Sequence, residues 1–165
     1  MNIDFITLFQ SLPPEISVLL ISMIPITEMR ASIPIALSVY NLPLPSALFF
    51  SIIGNIIPVI IILIGIDKIY QFFSKKSKLC KKAFEWFFSR TRDKFAGKYS
   101  HYGEVALILF VAIPLPFTGA WTGSVAAFLY GIPFKKAFLL IMSGMLFSAI
   151  IVSLLSLGII SIIYF

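Results

Sequence analysis

The sequence has very few of the side chains that build soluble active sites. Of its 165 residues, one is cysteine (Cys80) and one is histidine (His101). A single cysteine excludes an intramolecular disulfide framework and a multi-cysteine metal site. His101 lies among polar residues, a setting typical of a solvated or interfacial side chain. The chain also shows no hydrolytic triad and no phosphate-cradling motif. We therefore expect no enzymatic activity, no cofactor and no bound metal.

Charged residues are scarce as well, at 12% of the chain, whereas apolar residues make up 59% and the mean hydropathy is +1.02. A soluble domain of this size could not bury that much apolar surface, so the sequence predicts an integral membrane protein. Residues 1–29 contain no Lys or Arg. They lack the basic start of a cleavable signal peptide, and we expect the first apolar stretch to stay in the mature protein.

Four apolar blocks follow one another along the chain, at residues 16–40, 45–66, 105–130 and 137–165. The second and fourth blocks carry no charge and are long enough to span a hydrocarbon core of roughly 30 Å as helices. The first and third blocks carry helix-stopping residues in their middles, namely prolines and, in the third block, glycines, and the first block also contains two charges. These interruptions are typical of a turn within the membrane.

Basic residues concentrate between the second and third blocks. Ten of the 13 Lys and Arg residues lie in the stretch 67–98, together with three acids, which leaves that stretch at +7. Because membrane segments flank it, we interpret it as a cytoplasmic segment that contacts anionic lipid head groups, and we expect no nucleic-acid partner. Its apolar residues recur at helical spacing and predict an amphipathic interfacial helix with one apolar face, formed by Ile69, Phe72, Phe73, Cys80, Ala83, Phe84 and Phe87.

The charge distribution also predicts the topology. If all four blocks crossed the membrane, Lys135 and Lys136 would lie on the outer side, against the positive-inside bias. If the first and third blocks instead enter and return on one side, both lysines and the stretch 67–98 are cytoplasmic and both termini are outside. We therefore predict two re-entrant helical hairpins and two transmembrane helices in the plasma (inner) membrane.

A shift of 90 residues relates the two halves of the chain. It pairs Tyr40 and Pro43 with a second Tyr-x-x-Pro, and Gly54 with a second glycine, at Tyr130, Pro133 and Gly144. The chain 1–165 is then a single membrane domain of two inverted repeats, at about 16–66 and 104–160, each a hairpin followed by a spanning helix. Inverted repeats with broken helices are typical of transporters, whose sites lie near the membrane midplane where the repeats meet.

The first hairpin carries the two charges that mark the strongest candidate site. Residues 27–34 read TEMRASIP and include Glu28 and Arg30. A charge within the membrane costs at least about 2.5–3.5 kcal/mol, so its presence favours a function. We interpret Glu28 as a site for a proton or another cation and Arg30 as a contact for an anionic group. A structural ion pair, or hydrogen bonds from Arg30 to free backbone carbonyls, remains the alternative.

The second hairpin tip is uncharged and rich in small residues and hydroxyls. Residues 114–124 read PLPFTGAWTGS. Hydroxyls and exposed helix-start amides there favour an anion, whereas the glycines equally favour tight helix packing. The candidate binding residues of this tip are Thr118, Gly119, Trp121, Thr122, Gly123 and Ser124. Trp121 fits either a pocket wall or an interfacial anchor. Asn55, inside the second block, is a further candidate that either binds the ligand or hydrogen-bonds a hairpin.

These two segments resemble the paired signatures of the small multidrug export protein family, and the resemblance extends from about residue 16 to residue 160. That family is similar in layout to the DedA-type membrane proteins, which pair two re-entrant hairpins and are implicated in moving lipid phosphates. The resemblance implies an acid on the first hairpin and a Gly-rich second hairpin. DedA-type proteins also carry a functional Arg on the second hairpin, which residues 118–124 lack. Either Arg30 takes that role or the substrate differs.

Together these features predict a small multi-pass transporter that exports amphipathic or lipid-like small molecules and is coupled to protons or another ion through Glu28. The alternatives are a DedA-like lipid-phosphate flippase, and a membrane structural or assembly protein that acts through the basic helix. The second alternative predicts loss of function on neutralising Lys75, Lys76, Lys78, Lys81 and Lys82. Because four short elements enclose little interior and the glycine-bearing faces favour close contact, a homodimer is expected.

Overall fold

The computed structural model of the chain describes residues 12–76, 78–114 and 118–164, and within these ranges it contains helices and turns but no β-strand. The all-α prediction is confirmed. The helices are α1 (Pro14–Met23), α2 (Glu28–Ser38), α3 (Leu44–Lys76), α4 (Lys78–Tyr102), α5 (Ala106–Ala112), α6 (Ala120–Leu129) and α7 (Phe134–Tyr164), with a 3-10 turn at Gly103–Val105.

Two of these helices, α3 and α7, are long and apolar enough to cross a membrane. Their candidate spans are Leu44–Lys68 and Phe134–Ile159, and only 39% of the most apolar part of each is buried inside the protein. The core helix of a soluble protein would be mostly buried. Here large side chains point outward along both helices, among them Ile61, Ile64, Leu146, Leu154 and Ile159. Apolar surface of this extent requires lipid around it, so the chain is a membrane protein.

Each of the two interrupted blocks forms a pair of short helices. In the first block, α1 has 10 residues and α2 has 11, so each reaches about 15–17 Å, roughly half of the hydrocarbon core. In the third block, α5 has 7 residues and α6 has 10. Pro25 lies in the turn between α1 and α2. The break in the first block lies at residues 24–27, around Pro25, whereas Glu28, Arg30 and Pro34 of the predicted interruption lie within α2. The helix therefore continues through most of the predicted hairpin tip.

The chain divides into two compact units, one formed by Met1–Ile57 and Phe147–Phe165 and the other by Pro58–Leu146. In the first unit, α1, α2 and the start of α3 meet in a buried cluster of Val18, Ala36 and Ala47. These side chains are small, so the three helices approach closely. Leu37, Tyr40, Leu42 and Phe50 pack against the cluster.

The second unit is built around aromatic side chains. A cluster of Ile62, Ile66 and Val125 joins α3 to α6, and the partly buried side chains packed against it are Phe87, Phe88, Trp121 and Leu129. Phe95 of α4 is fully buried, with its ring centroid 5.4 Å from that of Phe110 and 5.1 Å from that of Tyr130. Because Phe110 is in α5 and Tyr130 follows α6, Phe95 ties the two helices of the pair together.

An ion pair closes the base of the α5–α6 pair. Glu104, which precedes α5, binds Lys136, which lies in the first turn of α7. The chain therefore enters and leaves this helix pair at the same end of the second unit. A single crossing helix would have separated these two side chains by the thickness of the membrane core.

The 90-residue spacing found in the sequence recurs in the local geometry of each unit. Helix α3 begins at Leu44 and α7 at Phe134. The turn before each helix contains a residue in the left-handed region, Asn41 with φ 50° and Gly131 with φ 66°. In each unit the spanning helix also carries a glycine, Gly54 or Gly144, against which the first short helix packs.

The basic stretch 67–98 differs from the single interfacial helix predicted for it. Its first ten residues continue α3 to Lys76, and the rest belongs to α4, which extends to Tyr102. No proline or glycine lies between Ile66 and Lys76 to end the helix. The apolar face also differs in part. Phe87 of the predicted face packs inward, and Phe88, Thr91 and Phe95 do so as well. Phe72 and Ala83 of the predicted face are exposed. The side chains of Ile69, Phe73 and Cys80 lie outside the described part.

Candidate functional site

Glu28 lies at the start of α2 in a backbone conformation that glutamate rarely adopts. Its φ is 46°, and its side chain is 5% exposed. A left-handed conformation costs a residue with a Cβ about 1–2 kcal/mol. Strain of this kind persists only where the surroundings impose it, and it clusters at functional sites. The preceding turn supplies the constraint, because the Thr27 hydroxyl donates to the carbonyl oxygen of Ile21 at 2.5 Å.

Three buried serines join α1 and α2 to the spanning helix α3. The hydroxyl of Ser22 donates to the carbonyl oxygen of Ser51 at 2.5 Å, and the hydroxyl of Ser32 donates to the Ser51 hydroxyl at 2.8 Å. All three side chains are fully buried. In an apolar setting these bonds replace water for the hydroxyls and determine how the helices align.

The alignment of α2 with α3 predicts that the backbone of Glu28 lies near that of Asn55. The two helices run in opposite directions, with Ala36 and Ala47 in one buried cluster and Ser32 bonded to Ser51. One further step of four residues, about 6 Å along each helix, pairs position 28 with position 55. Asn55 is fully buried, and neither its amide nitrogen nor its carbonyl oxygen has a hydrogen-bond partner.

Arg30 is half-buried and is attracted electrostatically to Glu28. Side chains two positions apart do not face each other along a regular helix. The left-handed conformation at Glu28 breaks that regularity at the first residue of α2. The first unit thus combines an acid, a base and an amide side chain, all within the apolar part of the sequence.

The hydroxyls of the second hairpin tip lie in the second unit and bond to backbone near them in sequence. Thr118 donates to the carbonyl oxygen of Ile113 at 3.0 Å, Thr122 to that of Gly119 at 3.3 Å, and Ser124 to that of Ala120 at 2.7 Å. Hydroxyl oxygens bonded in this way can still accept a hydrogen bond. The hydrogen bonds that these hydroxyls donate, however, stabilise the turn before α6 and the first turns of α6.

The remaining candidates of this tip take part in packing. A side chain at Gly123 would place its Cβ 2.6 Å from a methyl group of Val111, so this glycine lets α6 approach α5. Gly119 has φ 129°, a conformation that favours glycine, at the residue before α6. Trp121 packs against the buried cluster of Ile62, Ile66 and Val125. Residues 115–117 of the predicted tip lie outside the described residues.

Ser22 and Ser51 are members of the first site that were not predicted from the sequence. A signal for the site was present, because Glu28 and Ser32 are four residues apart, as are Ser51 and Asn55. Polar side chains at this spacing share one face of a helix. Two such pairs on consecutive apolar segments predict a buried polar row between them. In the second unit the equivalent positions on α7 are apolar, with Ile141 and Met145 both fully buried.

Helix α4 presents its lysines to the surroundings. Lys78, Lys81 and Lys82 are exposed, and Lys81 lies 3.8 Å from Glu85 in an ion pair along the helix. Trp86 and Leu79 are also exposed, and the guanidinium of Arg90 lies 5.3 Å from the ring of Trp86. The outward face of α4 is therefore both basic and partly apolar.

In the part of the chain that the structure describes, no group of three or more His, Cys, Asp or Glu side chains could hold a metal ion. The polar groups of the first site are one carboxylate, one guanidinium and neutral oxygen and nitrogen atoms.

Comparison with known proteins adds the family. Residues 28–151, about three quarters of the chain, match the family described as "Putative small multi-drug export protein". A search of curated proteins and a search of solved structures each found no match. The matched region begins at Glu28 and includes both short-helix pairs from α2 onward, the basic helix α4 and most of α7. The resemblance seen in the two signature segments is confirmed, and the chain belongs to the small multidrug export protein family.

Proposed function

We propose that the chain is a small secondary transporter that exports amphipathic or lipid-like molecules, with Glu28 binding a proton or another cation and Arg30 contacting an anionic group. The observation that carries this proposal is the buried, left-handed Glu28 at the start of a half-length helix. A carboxylate placed there at a cost in both backbone strain and desolvation serves no evident packing purpose. The family description, which names multi-drug export, supports it.

We propose further that both short-helix pairs are re-entrant and that the halves are inverted repeats. The arms are too short to cross the core, and the Glu104–Lys136 ion pair lies at the base of the second pair. The matching left-handed turns at Asn41 and Gly131 support the repeat. If the stretch 67–98 and Lys135 are cytoplasmic, both ends of the first helix pair lie on the outer side of the membrane and both ends of the second pair lie on the inner side.

Labelling of single cysteines in a Cys80-free background tests this topology. We expect a membrane-impermeant maleimide added to intact cells to label Leu12→Cys and Asn41→Cys, because both positions are exposed and flank the first helix pair on the outer side. Lys82→Cys and Lys135→Cys should react only after the cells are permeabilised. Labelling of positions 12 and 41 from opposite sides would show that the first block crosses the membrane and would refute the hairpin.

The proposed transport is tested in proteoliposomes with two probes, ethidium as an amphipathic cation and a fluorescent phosphatidylglycerol as an anionic lipid. We expect Glu28→Gln to reduce transport at least tenfold, because glutamine cannot bind and release a proton. Glu15→Gln, which neutralises the acid at the far end of α1, is the matched control and should transport normally.

Movement of the lipid alone would assign the chain to the flippase alternative. Equal rates for Glu28→Gln and wild type, with both proteins folded and inserted, would remove the coupling role. A wild-type protein that moved neither probe faster than protein-free liposomes would rule out export of both substrate classes.

We also propose that the outward face of α4 rests on anionic lipid head groups. Its exposed lysines supply the charge, and the exposed Leu79 and Trp86 supply the apolar and aromatic contacts typical of a membrane interface. This role fits a transporter anchored on its cytoplasmic side.

A further inference from the structure

Asn55 is the polar side chain of the first unit whose burial is hardest to explain by packing. Its carboxamide has two donors and a carbonyl acceptor, is fully buried, and forms no hydrogen bond through either heavy atom. Burying such a group without a partner costs free energy, because the group loses its hydrogen bonds to water and forms none within the protein. A buried group without a partner calls for an explanation, and one explanation is a partner that bonds to it in only one state of the protein.

Glu28 is the group in position to be that partner. Ser32 bonds to Ser51, and one further helical step along each helix brings position 28 near position 55. When ionised, a carboxylate only accepts hydrogen bonds, but once protonated it has an O–H that donates. The carbonyl oxygen of Asn55 is an acceptor suited to that O–H.

Few charged groups face this pair. On α2 there is Arg30, which is attracted to Glu28. The charged residue of α1 is Glu15, at the opposite end of that helix. Residues 44–57 of α3 and residues 147–164 of α7, the other described parts of the unit, contain no charged or histidine side chain. Arg30 is therefore the charge that competes with Asn55 for Glu28.

We propose that Asn55 is the positioning residue for the protonated form of Glu28. Ionised Glu28 is held by Arg30. When a proton from solution binds the carboxylate, the new O–H donates to the carbonyl oxygen of Asn55, and the electrostatic hold of Arg30 is lost. One O–H bond forms on loading and breaks on release, and no other bond changes. The inference rests on the coupling role proposed for Glu28 and names its second partner.

Infrared spectroscopy tests this switch without knowledge of the substrate. A protonated carboxyl group has a C=O band that an ionised one lacks, so a pH titration of the full-length protein in liposomes reports on Glu28. The band assigned to Glu28 is the one missing from Glu28→Gln. In Asn55→Leu, which has nearly the same shape but no acceptor, we expect this band at higher frequency because its hydrogen bond is gone.

The pH of half-protonation should also change in Asn55→Leu. Loss of the acceptor destabilises the protonated form, so the midpoint should fall by about half a unit to one unit, the effect of one ordinary hydrogen bond. Asn55→Ala has no acceptor and a smaller side chain, and it carries the same prediction if the leucine variant does not fold. Met145→Leu, at the equivalent position of the other half, is the control and should leave band and midpoint unchanged.

An unchanged band and midpoint in a folded Asn55 variant would overturn the inference. That result would leave the transport role of Glu28 standing if Glu28→Gln is inactive in proteoliposomes. Normal transport by Glu28→Gln, in contrast, would remove the coupling role itself. The two failures are therefore distinguishable.

Discussion

Alanine at Gly54 is expected to lower the free energy of unfolding by about 3 kcal/mol. A Cβ at this position would overlap the backbone carbonyl of Leu19 and lie 3.0 Å from the Cβ of Ser22. A backbone carbonyl in the middle of a helix cannot rotate away, so α1 would have to move as a whole. That movement would also break the hydrogen bond from Ser22 to Ser51.

Gly144→Ala should have a similar but smaller effect, of about 2 kcal/mol. Its Cβ would lie 2.7 Å from the Cβ of Val111 and 2.8 Å from the carbonyl oxygen of Ile108. Gly97 and Gly158 are the matched controls, because both are helical and a Cβ at either would meet nothing within 4 Å. Alanine at these positions should add roughly 0.5–1 kcal/mol of stability through its higher helix propensity.

Thermal unfolding in detergent, followed by fluorescence-detected size exclusion, measures all four variants. A Gly54→Ala protein as stable as the Gly97→Ala protein would contradict the close approach of α1 to α3.

Leucine at Asn55 is expected to stabilise the protein by about 1–3 kcal/mol while it impairs proton coupling. The gain comes from removing a buried carboxamide that has no hydrogen-bond partner and replacing it with an apolar group of the same shape. Most substitutions of fully buried residues destabilise, so a gain here would be diagnostic. It would show that the residue is retained for activity at a cost in stability.

Ser51→Ala is the comparison that should change stability in the opposite direction. The Ser51 hydroxyl accepts the hydrogen bond of Ser32, so its removal leaves a buried hydroxyl without its acceptor. We expect a loss of about 1 kcal/mol. The same unfolding assay compares the two variants. Destabilisation of Asn55→Leu by as much as Ser51→Ala would indicate that the carboxamide has a structural partner.

Several features of this fold could be predicted from local sequence alone. The long uncharged blocks predicted α3 and α7, and Pro25 predicted the break before Glu28, whereas Pro34 lies inside α2. The 90-residue shift identified Gly54 and Gly144 as a pair, because the two glycines align when the sequence is compared with itself. What these glycines contact could not be predicted, since that depends on how α1 and α5 pack against the spanning helices.

The candidate site was predicted less completely. Glu28 and Arg30 were identified because a charge in an apolar stretch is conspicuous. Ser22, Ser32 and Ser51 were not recognised as a group, because serine is common in membrane helices and each one is unremarkable until its partner is known. The apolar face of α4 was assigned to lipid, whereas Phe87 of that face packs against protein, as do the neighbouring Phe88 and Phe95. An amphipathic pattern predicts that a face is covered but does not identify what covers it.

The short length of α1 and α2 has a consequence for the order in which the protein is assembled. During synthesis, helices of 10 and 11 residues are too short to be inserted as independent spans. The serines that stabilise them find their partner on α3, which emerges from the ribosome later. With the re-entrant topology proposed above, we expect the first helix pair to enter the membrane only after α3 has been inserted. Glu28 would then leave water when Ser51 and Asn55 are already in place.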